Sequence, residues 1–375
     1  MSQCVVIAVD AIGYPQGGGH LWVYLNWALS LRSIGYRVLW LETVRSDAPM
    51  DRLASNLASL KRHLEPFGFQ DSIMLANECA RSPFLPKELD YLDLDASDGA
   101  DLLLNFKYGL SANILRRFKR SALIDIDPGL LQLWMRQGQV SVASHDLYFT
   151  IGETIDGDEV IGANDAHRWI YTPPCVSIEH WPAVAASPDE AFTTVTHWFA
   201  EEWIELDGRI YRNDKRSGFL PFLDLPSLTR EQIELAAFIG DDEAERDSLT
   251  QRGWRVLESA AVASTPLDYR RYIQGSKGEF SCCKPSCVLL QNAWISDRTL
   301  CYLASGKPAI VQHTGRSRWL PDRAGLLRFR DLRDAAQCVE LASRNYVEHS
   351  LLARALAEEY FNGNKVVRAL IGQCL

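Results

Sequence analysis

Residues 4–42 have the sequence CVVIAVDAIGYPQGGGHLWVYLNWALSLRSIGYRVLWLE, and the order of apolar runs and glycines in it indicates the fold class. Cys4–Ala11 is a continuous β-branched and apolar run, typical of a strand buried on both faces of a parallel sheet. After the glycine-rich turn Gly13–Gly19, apolar residues recur at helical spacing over His20–Ile34, and the next glycine is placed to end that helix. Arg37–Leu41 is a second short strand. The order strand, helix, strand predicts a parallel sheet with a right-handed crossover.

The same alternation continues through all 375 residues, a length that suits two domains of about 150–190 residues each. Prolines between Tyr171 and Pro182 hold their neighbours out of helix, and we interpret that segment as a linker. In the second half we predict a strand at Phe192–Trp198, a helix at Arg230–Ala236 and a short strand at Val288–Leu290. The sequence therefore predicts an α/β protein with two Rossmann-like domains.

The amino-acid composition limits the kinds of molecule that the protein is expected to bind. The net charge is −9 with a pI of about 5.5, which disfavours nucleic acid because its phosphates require a basic face. A local basic cluster, Arg316–Arg318, leaves a modified nucleic-acid acceptor open. No apolar stretch approaches a membrane span, and the first residues lack a positively charged leader. We expect a cytoplasmic protein, monomeric or homodimeric, with no membrane partner.

Cysteine usage indicates neither disulfides nor a metal. The nine cysteines are an odd number scattered through a long chain, unlike a disulfide framework. Cys282, Cys283 and Cys287 are close in sequence, but no second pair at zinc-finger spacing completes four ligands. We expect reduced cysteines packed beside a loop and no metal site.

Polar residues follow the predicted strands of the first half. Ligands of open α/β sheets bind outside the carboxyl ends of the strands, so we expect these residues to face one cleft. They are Gly17, Gly18, Gly19, His20, Asn105, Asp125, Asp127 and Glu153. His20, Asp125 and Asp127 are candidates for a general base. The alternatives are a helix-terminal histidine bonded to nearby backbone and, for Asp127, a cap on the next helix.

The glycine-rich loop has two further interpretations. Gly18 and Gly19 let backbone amides approach a phosphate at a helix N-terminus. A dinucleotide site is the alternative, because Glu42 ends the second strand where a ribose-binding acid would stand. The loop is long for such a site, and Trp22 occupies the position that requires a third glycine or alanine. The loop could also simply turn the chain.

Residues 276–315, SKGEFSCCKPSCVLLQNAWISDRTLCYLASGKPAIVQHTG, carry a more specific pattern. A helix followed by Ala-Ser-Gly-Lys-Pro and an apolar strand resembles the donor-nucleotide site of the GT-B glycosyltransferases. The fuller string, Ser-Asp-Arg followed by Cys-Tyr-Leu-Ala-Ser-Gly-Lys-Pro, is similar to that of an uncharacterised bacterial group of these enzymes. The N-terminal Gly-Gly-Gly-His-Leu-Trp string and the central Phe-Thr-Ile-Gly-Glu string fit the same group, so the resemblance covers most of the chain.

The resemblance implies a donor site in the second half. Arg298 would meet the diphosphate, and Asp297 would bond ribose or sugar hydroxyls. The other donor-side residues it implies are Ser296, Lys215, Lys284, Thr314 and Gly315. One departure is that Ala293 and Cys301 stand where many retaining members carry two glutamates. In this family helix N-termini and basic side chains neutralise the phosphates, so we expect neither a metal nor a cofactor besides the nucleotide-diphosphate sugar.

The resemblance also implies an architecture and a reaction. We expect an acceptor domain at residues 1–175, a donor domain at 185–355, a cleft between them, and a C-terminal helix at 356–375 that crosses back. The reaction would be transfer of a sugar, for example from a UDP-sugar, to an unidentified acceptor by a hexosyltransferase-like enzyme, with Asn105 and Glu153 on the acceptor side. A nucleotide-sugar epimerase and a non-catalytic nucleotide-sugar-binding protein remain the alternatives.

Overall fold

A computed structural model of the chain describes residues 3–77, 79, 81, 89–155, 167–187, 189–321 and 325–375. The chain divides into two compact units. The first comprises Met1–Ser177 together with Gly363–Leu375, and the second comprises Ile178–Asn362. The chain thus returns to the first unit at Gly363, whereas the predicted start of the returning segment, residue 356, falls inside the preceding helix.

The first unit is built on one parallel sheet of seven strands. Apolar side chains fill both faces of its central strands, as the unbroken apolar runs of the sequence predict. The strand order is β3-β2-β1-β4-β5-β6-β7, so it reverses between β1 and β4. The strands are β1 Cys4–Val9, β2 Arg37–Val44, β3 Ile73–Asn77, β4 Leu102–Asn105, β5 Ser121–Asp125, β6 Leu147–Thr150 and β7 Trp169–Tyr171.

Helices of the first unit connect these strands. They are α1 Gly18–Ser33, α2 Met50–Leu64, α3 Ala112–Leu115 and α4 Leu130–Arg136. The last helix of the chain, Gly363–Cys374, packs on α1. A Cβ atom at Gly363 would lie 1.9 Å from Oγ of Ser30, so this close approach requires glycine.

The second unit repeats the strand order of the first. Its six-stranded parallel sheet has the order β12-β11-β8-β13-β14-β15 and reverses between β8 and β13. The strands are β8 Phe192–His197, β11 Ile233–Phe238, β12 Arg255–Glu258, β13 Gly278–Ser281, β14 Ala309–Gln312 and β15 Leu326–Phe329. A separate antiparallel hairpin consists of β9 Trp203–Leu206 and β10 Arg209–Arg212.

Eight helices that the structure describes complete the second unit. They are α5 Lys215–Phe219, α6 Glu243–Gln251, α7 Ser259–Ala263, α8 Pro266–Gln274, α9 Pro285–Leu289, α10 Asp297–Ala304, α11 Leu332–Arg344 and α12 Tyr346–Tyr360. The sheet and the flanking helices bury an aromatic core in which the rings of Phe280 and Phe329 stack with 5.1 Å between centroids. Among the described residues, no helix has the length and apolar character needed to cross a membrane.

Two elements differ from the sequence prediction. The segment predicted as a helix at Arg230–Ala236 forms the central strand β11, because burial between β8 and β12 outweighs the helix propensity of its Glu, Leu and Ala residues. The strand predicted at Val288–Leu290 belongs largely to α9, which Pro285 starts at its first turn. The α/β architecture with two Rossmann-like units is confirmed.

Candidate functional site

A small pocket lies at the carboxyl edge of the sheet in the second unit. Its walls come from the ends of β13 and β14 and from the start of α10. The lining residues are Ser281, Cys283, Trp294, Ile295, Ser296, Arg298, Thr299, Val311, Gln312 and Thr314. This position, beside the reversal of strand order at β8 and β13, is where open α/β sheets bind ligands.

Ser296 begins the helix that forms one wall. Its hydroxyl accepts a hydrogen bond from the amide of Arg298 at 3.2 Å, so Ser296 is the N-cap of α10. Asp297 is the first helical residue and is half-buried. The N-terminus of α10 is therefore directed at the pocket, and its helix dipole favours an anion there.

The guanidinium group of Arg298 is buried in the sheet. It donates from Nε to Oε1 of Glu279 at 2.8 Å, from Nη1 to the carbonyl of Val195 at 2.9 Å, and from Nη2 to the hydroxyl of Ser281. These contacts join β8 and β13 at the point where the two strands part. Burial opposes the charge, but the Glu279 carboxylate outweighs it and raises the pKa of Arg298. Only 8% of Arg298 is exposed, so its guanidinium group is not a solvent-facing charge.

Lys215 supplies a second cation beside this pocket. Its ammonium group donates to the carbonyl of Cys282 at 2.8 Å and lies 5.8 Å from the ring centroid of Trp294. Burial, with repulsion from Arg298, lowers the pKa of Lys215 to about 8. The structure gives Lys215 no carboxylate partner among the described residues, so a bound anion would stabilise its charge.

Lys284 is differently placed. Its ammonium group forms an ion pair with Glu202, with Nζ–O distances of 2.9 and 2.7 Å. Glu202 is also the carboxylate that Nδ2 of Asn213 approaches at 3.3 Å. A phosphate would have to compete with Glu202 for Lys284, which makes Lys215 the stronger candidate of the two predicted lysines.

Thr314 forms another wall of the pocket, and Gly315 follows it in sequence. The Thr314 hydroxyl donates to the carbonyl of Trp294 at 2.8 Å, and the Thr314 carbonyl accepts from the amide of Ala293 at 2.9 Å. Gly315 has a φ of 129°, and a Cβ there would lie 2.5 Å from the carbonyl oxygen of Gln291. Glycine is therefore required where this loop turns against residues 291–294.

The three neighbouring cysteines are packed around this wall. Cys282, Cys283 and Cys287 are buried and unbridged. Burial raises the pKa of the Cys283 thiol, which disfavours a reactive thiolate. Among the described residues, no three His, Cys, Asp or Glu side chains converge as metal ligands.

The glycine turn of the first unit leads directly into α1. Gly17 is the N-cap residue, and a Cβ there would lie 2.4 Å from the ring of Tyr14. Gly18 and Gly19 form the first turn of the helix. His20 follows in that turn, half-buried, with Nε2 2.6 Å from the carbonyl oxygen of Asp10. The structure therefore shows the backbone contact that was one of the two interpretations of His20.

Glu42 holds the backbone at the carboxyl edge of the first sheet. Its carboxylate oxygens accept from the amide of Ala11 at 3.2 and 3.1 Å, and Oε1 also accepts from Nε1 of Trp40 at 2.9 Å. Burial raises its pKa to about 7, against the lowering effect of these donors. The carboxylate is occupied by the β1–α1 loop, which removes the argument for a ribose-binding acid.

Asp125 is the most enclosed of the predicted bases. Its carboxylate accepts from Nε2 of Gln132, the hydroxyl of Thr150, the amide of Asp127 and the hydroxyl of Tyr108, at distances from 2.7 to 3.3 Å. Burial raises its pKa to about 6. The contacts join β5, β6 and α4, so Asp125 supports the edge of the sheet.

Asp127 is half-buried and more accessible than Asp125. Its Oδ2 lies 3.1 Å from the hydroxyl of Tyr108. The next helix, α4, is capped at Gly129 with Gln132 bonded back to the Gly129 amide, so the Asp127 side chain is not its N-cap. Between the two aspartates, Asp127 is better placed to meet an acceptor.

The two predicted acceptor-side residues are buried. Nδ2 of Asn105 contacts Nε2 of His145 at 3.0 Å, and its Oδ1 accepts from the amide of Lys107 at 2.9 Å. Glu153 is 2% exposed, and its charge adds to the effect of burial in raising the pKa of Tyr171. Both residues lie at the predicted carboxyl edge of the sheet, but the side-chain amide of Asn105 is already hydrogen-bonded within the first unit.

The structure thus assembles the predicted residues in two sets, each within its own unit. Ser296, Arg298 and Thr314 line one pocket, and Lys215 lies beside it. Sequence reasoning assigned no role to Tyr108, Lys107 and Glu279. The signal for Tyr108 and Lys107 was their position directly after β4. Glu279 lies in a Ser-x-x-Glu-Phe string that fits the family resemblance, but the string does not indicate that Glu279 pairs with Arg298.

Comparison with known proteins gives structural relatives only. Neither a protein-family model nor a curated protein matches the chain. The structure of Anabaena Alr3699/HepE with UDP and glucose matches with a TM-score of 0.60 at 12% identity, covering 99% of this chain and 100% of that one. The structure of an alpha-glucosyltransferase with UDP and a 13-mer DNA containing an HMU base matches with a TM-score of 0.62 at 10% identity, covering 99% of each chain.

A third relative extends the comparison. The pneumococcal O-GlcNAc transferase GtfA, solved with UDP and GlcNAc, matches with a TM-score of 0.57 at 9% identity, covering 99% of this chain and 98% of that one. At such identities the likeness concerns the fold. The chain has the fold of the GT-B glycosyltransferases, with two Rossmann-like α/β units.

Proposed function

We propose that the protein is a glycosyltransferase that moves a sugar from a nucleoside diphosphate sugar onto an acceptor nucleophile. The observation that carries this proposal is the pocket of the second unit. It combines the N-terminus of α10, the neighbouring cation of Lys215 and a position at the reversal of strand order. Each feature favours a ligand that carries a diphosphate.

Lys215 and the α10 amides are the proposed diphosphate contacts. The lowered pKa of Lys215 reflects an ammonium group that is buried near another cation, so an anion would stabilise it. Arg298 contributes to the positive potential and fixes the wall, while most of its donors serve the sheet. We therefore assign Lys215 the direct role that the sequence assigned to Arg298.

The remaining walls fit the nucleoside. Trp294, Ile295 and Val311 offer apolar surface for a base. Asp297, at the start of α10, would supply carboxylate oxygens for ribose or sugar hydroxyls, and Gln312, whose oxygen accepts from Cys283, would supply its amide N–H groups. We propose UDP as the nucleotide, because the relatives named above were solved with UDP. We also propose that the reaction needs no divalent cation or other cofactor, since Lys215 and a helix N-terminus can offset the charge of the leaving group.

The first unit would supply the acceptor side. The acceptor oxygen attacks the anomeric carbon, the bond from that carbon to the diphosphate breaks, and its electron pair leaves with UDP. If the reaction inverts the anomeric carbon, His20 or Asp127 takes the acceptor proton. Asp125 is less suited to that role, because donors from Gln132, Thr150 and the Asp127 amide already occupy its carboxylate.

Turnover of UDP-sugars tests the proposal. The purified protein is incubated with UDP-glucose or UDP-GlcNAc, a chelator and a panel of hydroxyl-bearing acceptors, and UDP, free sugar and sugar conjugates are separated by chromatography. The proposal predicts UDP release with a sugar conjugate. Conversion of one UDP-sugar into another without acceptor would identify an epimerase. Binding without any turnover across the panel would indicate a nucleotide-sugar-binding protein.

A further inference from the structure

One peptide group at the carboxyl end of β1 lies between a buried carboxylate and an imidazole. The group consists of the Asp10 carbonyl and the Ala11 amide. The amide donates to both oxygens of Glu42 at 3.2 and 3.1 Å, and the carbonyl accepts from Nε2 of His20 at 2.6 Å. The two contacts therefore act on opposite ends of the same peptide dipole.

We propose that Glu42 acts through the Asp10–Ala11 peptide as the positioning residue of His20, holding it as the Nε2–H tautomer with its lone pair on Nδ1. Hydrogen bonds in series polarise one another, so a carboxylate on the amide makes the carbonyl at the other end a better acceptor. The result is a carboxylate–peptide–imidazole relay. The inference rests on the proposed function only for the use made of the Nδ1 lone pair.

The surroundings hold the peptide in place. The side chain of Asp10 forms an ion pair with Lys107 at 2.9 Å, and Lys107 also donates to the carbonyl of Thr43 at 3.1 Å. Lys107 therefore connects Asp10, directly after β1, with Thr43 in β2, the residue that follows Glu42. The Asp10–Ala11 peptide is held by contacts of its amide, its carbonyl and the Asp10 side chain. Because its carbonyl stays beside Nε2 of His20, the Nε2–H tautomer is favoured.

Burial strengthens the relay when Glu42 is ionised, that is, above its raised pKa of about 7. Glu42 is fully buried, and its two oxygens are shared among the Ala11 amide, the neighbouring Ile12 amide and the indole of Trp40. In such surroundings water does not compete for the carboxylate, and a hydrogen bond polarises its neighbour more than it would at the surface. The charged or titratable groups that face this carboxylate are Lys107, Asp10 and Tyr24.

Glu42→Gln tests the relay by NMR of the labelled full-length protein. We expect the Ala11 amide proton and the His20 Nε2–H proton to move upfield together and the ring proton to exchange faster with water. Asp101→Asn is the matched control, because Asp101 also accepts a backbone amide of β1, that of Cys4 at 2.8 Å, at the other end of the strand. It should leave the His20 signal in place.

Trp40→Phe provides a second variant if Glu42→Gln folds poorly. It removes a competing donor from Glu42, so we expect the His20 Nε2–H proton to move downfield. A His20 signal that does not respond when the Ala11 amide moves, or an Ala11 amide that does not respond to Glu42→Gln, overturns the relay.

Kinetics separate the relay from the proposed function. If His20 is the base, Glu42→Gln lowers kcat with little change in KM for the donor. If the ring signal moves while kcat stays at the wild-type value, the relay stands and the role of His20 as base falls.

Discussion

The carboxyl edges of the two sheets have one topology and opposite charges. In both units the strand order reverses between the first and the fourth strand. In the second unit a cation, Arg298, joins the strands at the reversal, with Lys215 close by. In the first unit acidic groups, Glu42 and Asp125, organise the edge. The two edges therefore share a position in the fold and differ in the side chains that occupy it.

Substitution of His20, the proposed base of the first unit, should cause the largest loss of activity. His20→Ala removes the proposed base, and we expect kcat to fall by a factor of about 10²–10⁴ with unchanged binding of UDP. His63→Ala is the control, because His63 also contacts a carbonyl of the same loop, that of Pro15 at 2.8 Å. Wild-type turnover in His20→Ala across pH would remove His20 from catalysis.

Arg298→Ala should chiefly destabilise the second unit. It leaves Glu279 buried without its partner, which costs about 3–5 kcal/mol of unfolding free energy. Replacing both Arg298 and Glu279 by methionine should recover most of that loss. The comparable change at an exposed pair, Arg271→Ala, should cost about 1 kcal/mol or less. Urea unfolding measures each value, and equal losses for Arg298→Ala and Arg271→Ala would contradict the buried pair.

Substitution of Asp125 and of Asp127 should distinguish a structural role from a catalytic one. Asp125→Asn puts an amide against donors from Gln132 and Thr150, and we expect a loss of about 1–3 kcal/mol in unfolding free energy. Asp127→Asn should change stability little, since its side chain accepts mainly from Tyr108. Calorimetric unfolding compares them, and a larger loss for Asp127→Asn would reverse the assignment.

The fold was predictable because its strands and turns have local causes. The apolar run of β1, the Gly17 turn and the periodicity of α1 together predict a parallel unit. The strand β11 was not predictable locally, because its burial comes from β8 and β12. The pocket residues Ser296 and Thr314 came from the resemblance of the surrounding string.

Individual roles depended on contacts that the sequence does not contain. The direction of the Arg298 side chain follows from Glu279 and Val195, which are distant in sequence. The burial of Lys215 depends on its approach to Cys282, and the role of Glu42 depends on a peptide group rather than a side chain. The sequence pattern therefore led to α10 beside the pocket, but it could not show that Arg298 is bonded within the sheet while Lys215 is not paired with a carboxylate among the described residues.

Binding of UDP to Lys215→Met tests whether the second unit holds a donor site. Calorimetric titration with a chelator present should show saturable binding to the wild type and a loss of about 1.5–3 kcal/mol in Lys215→Met. Because the pKa of Lys215 is lowered to about 8, wild-type affinity should fall by up to about tenfold between pH 7 and pH 9, as the ammonium group loses its proton. That dependence should disappear in Lys215→Met, while the exposed control Lys119→Met should match the wild type. Equal UDP affinity in wild type and Lys215→Met, or no UDP binding at all, would contradict a donor site in the second unit.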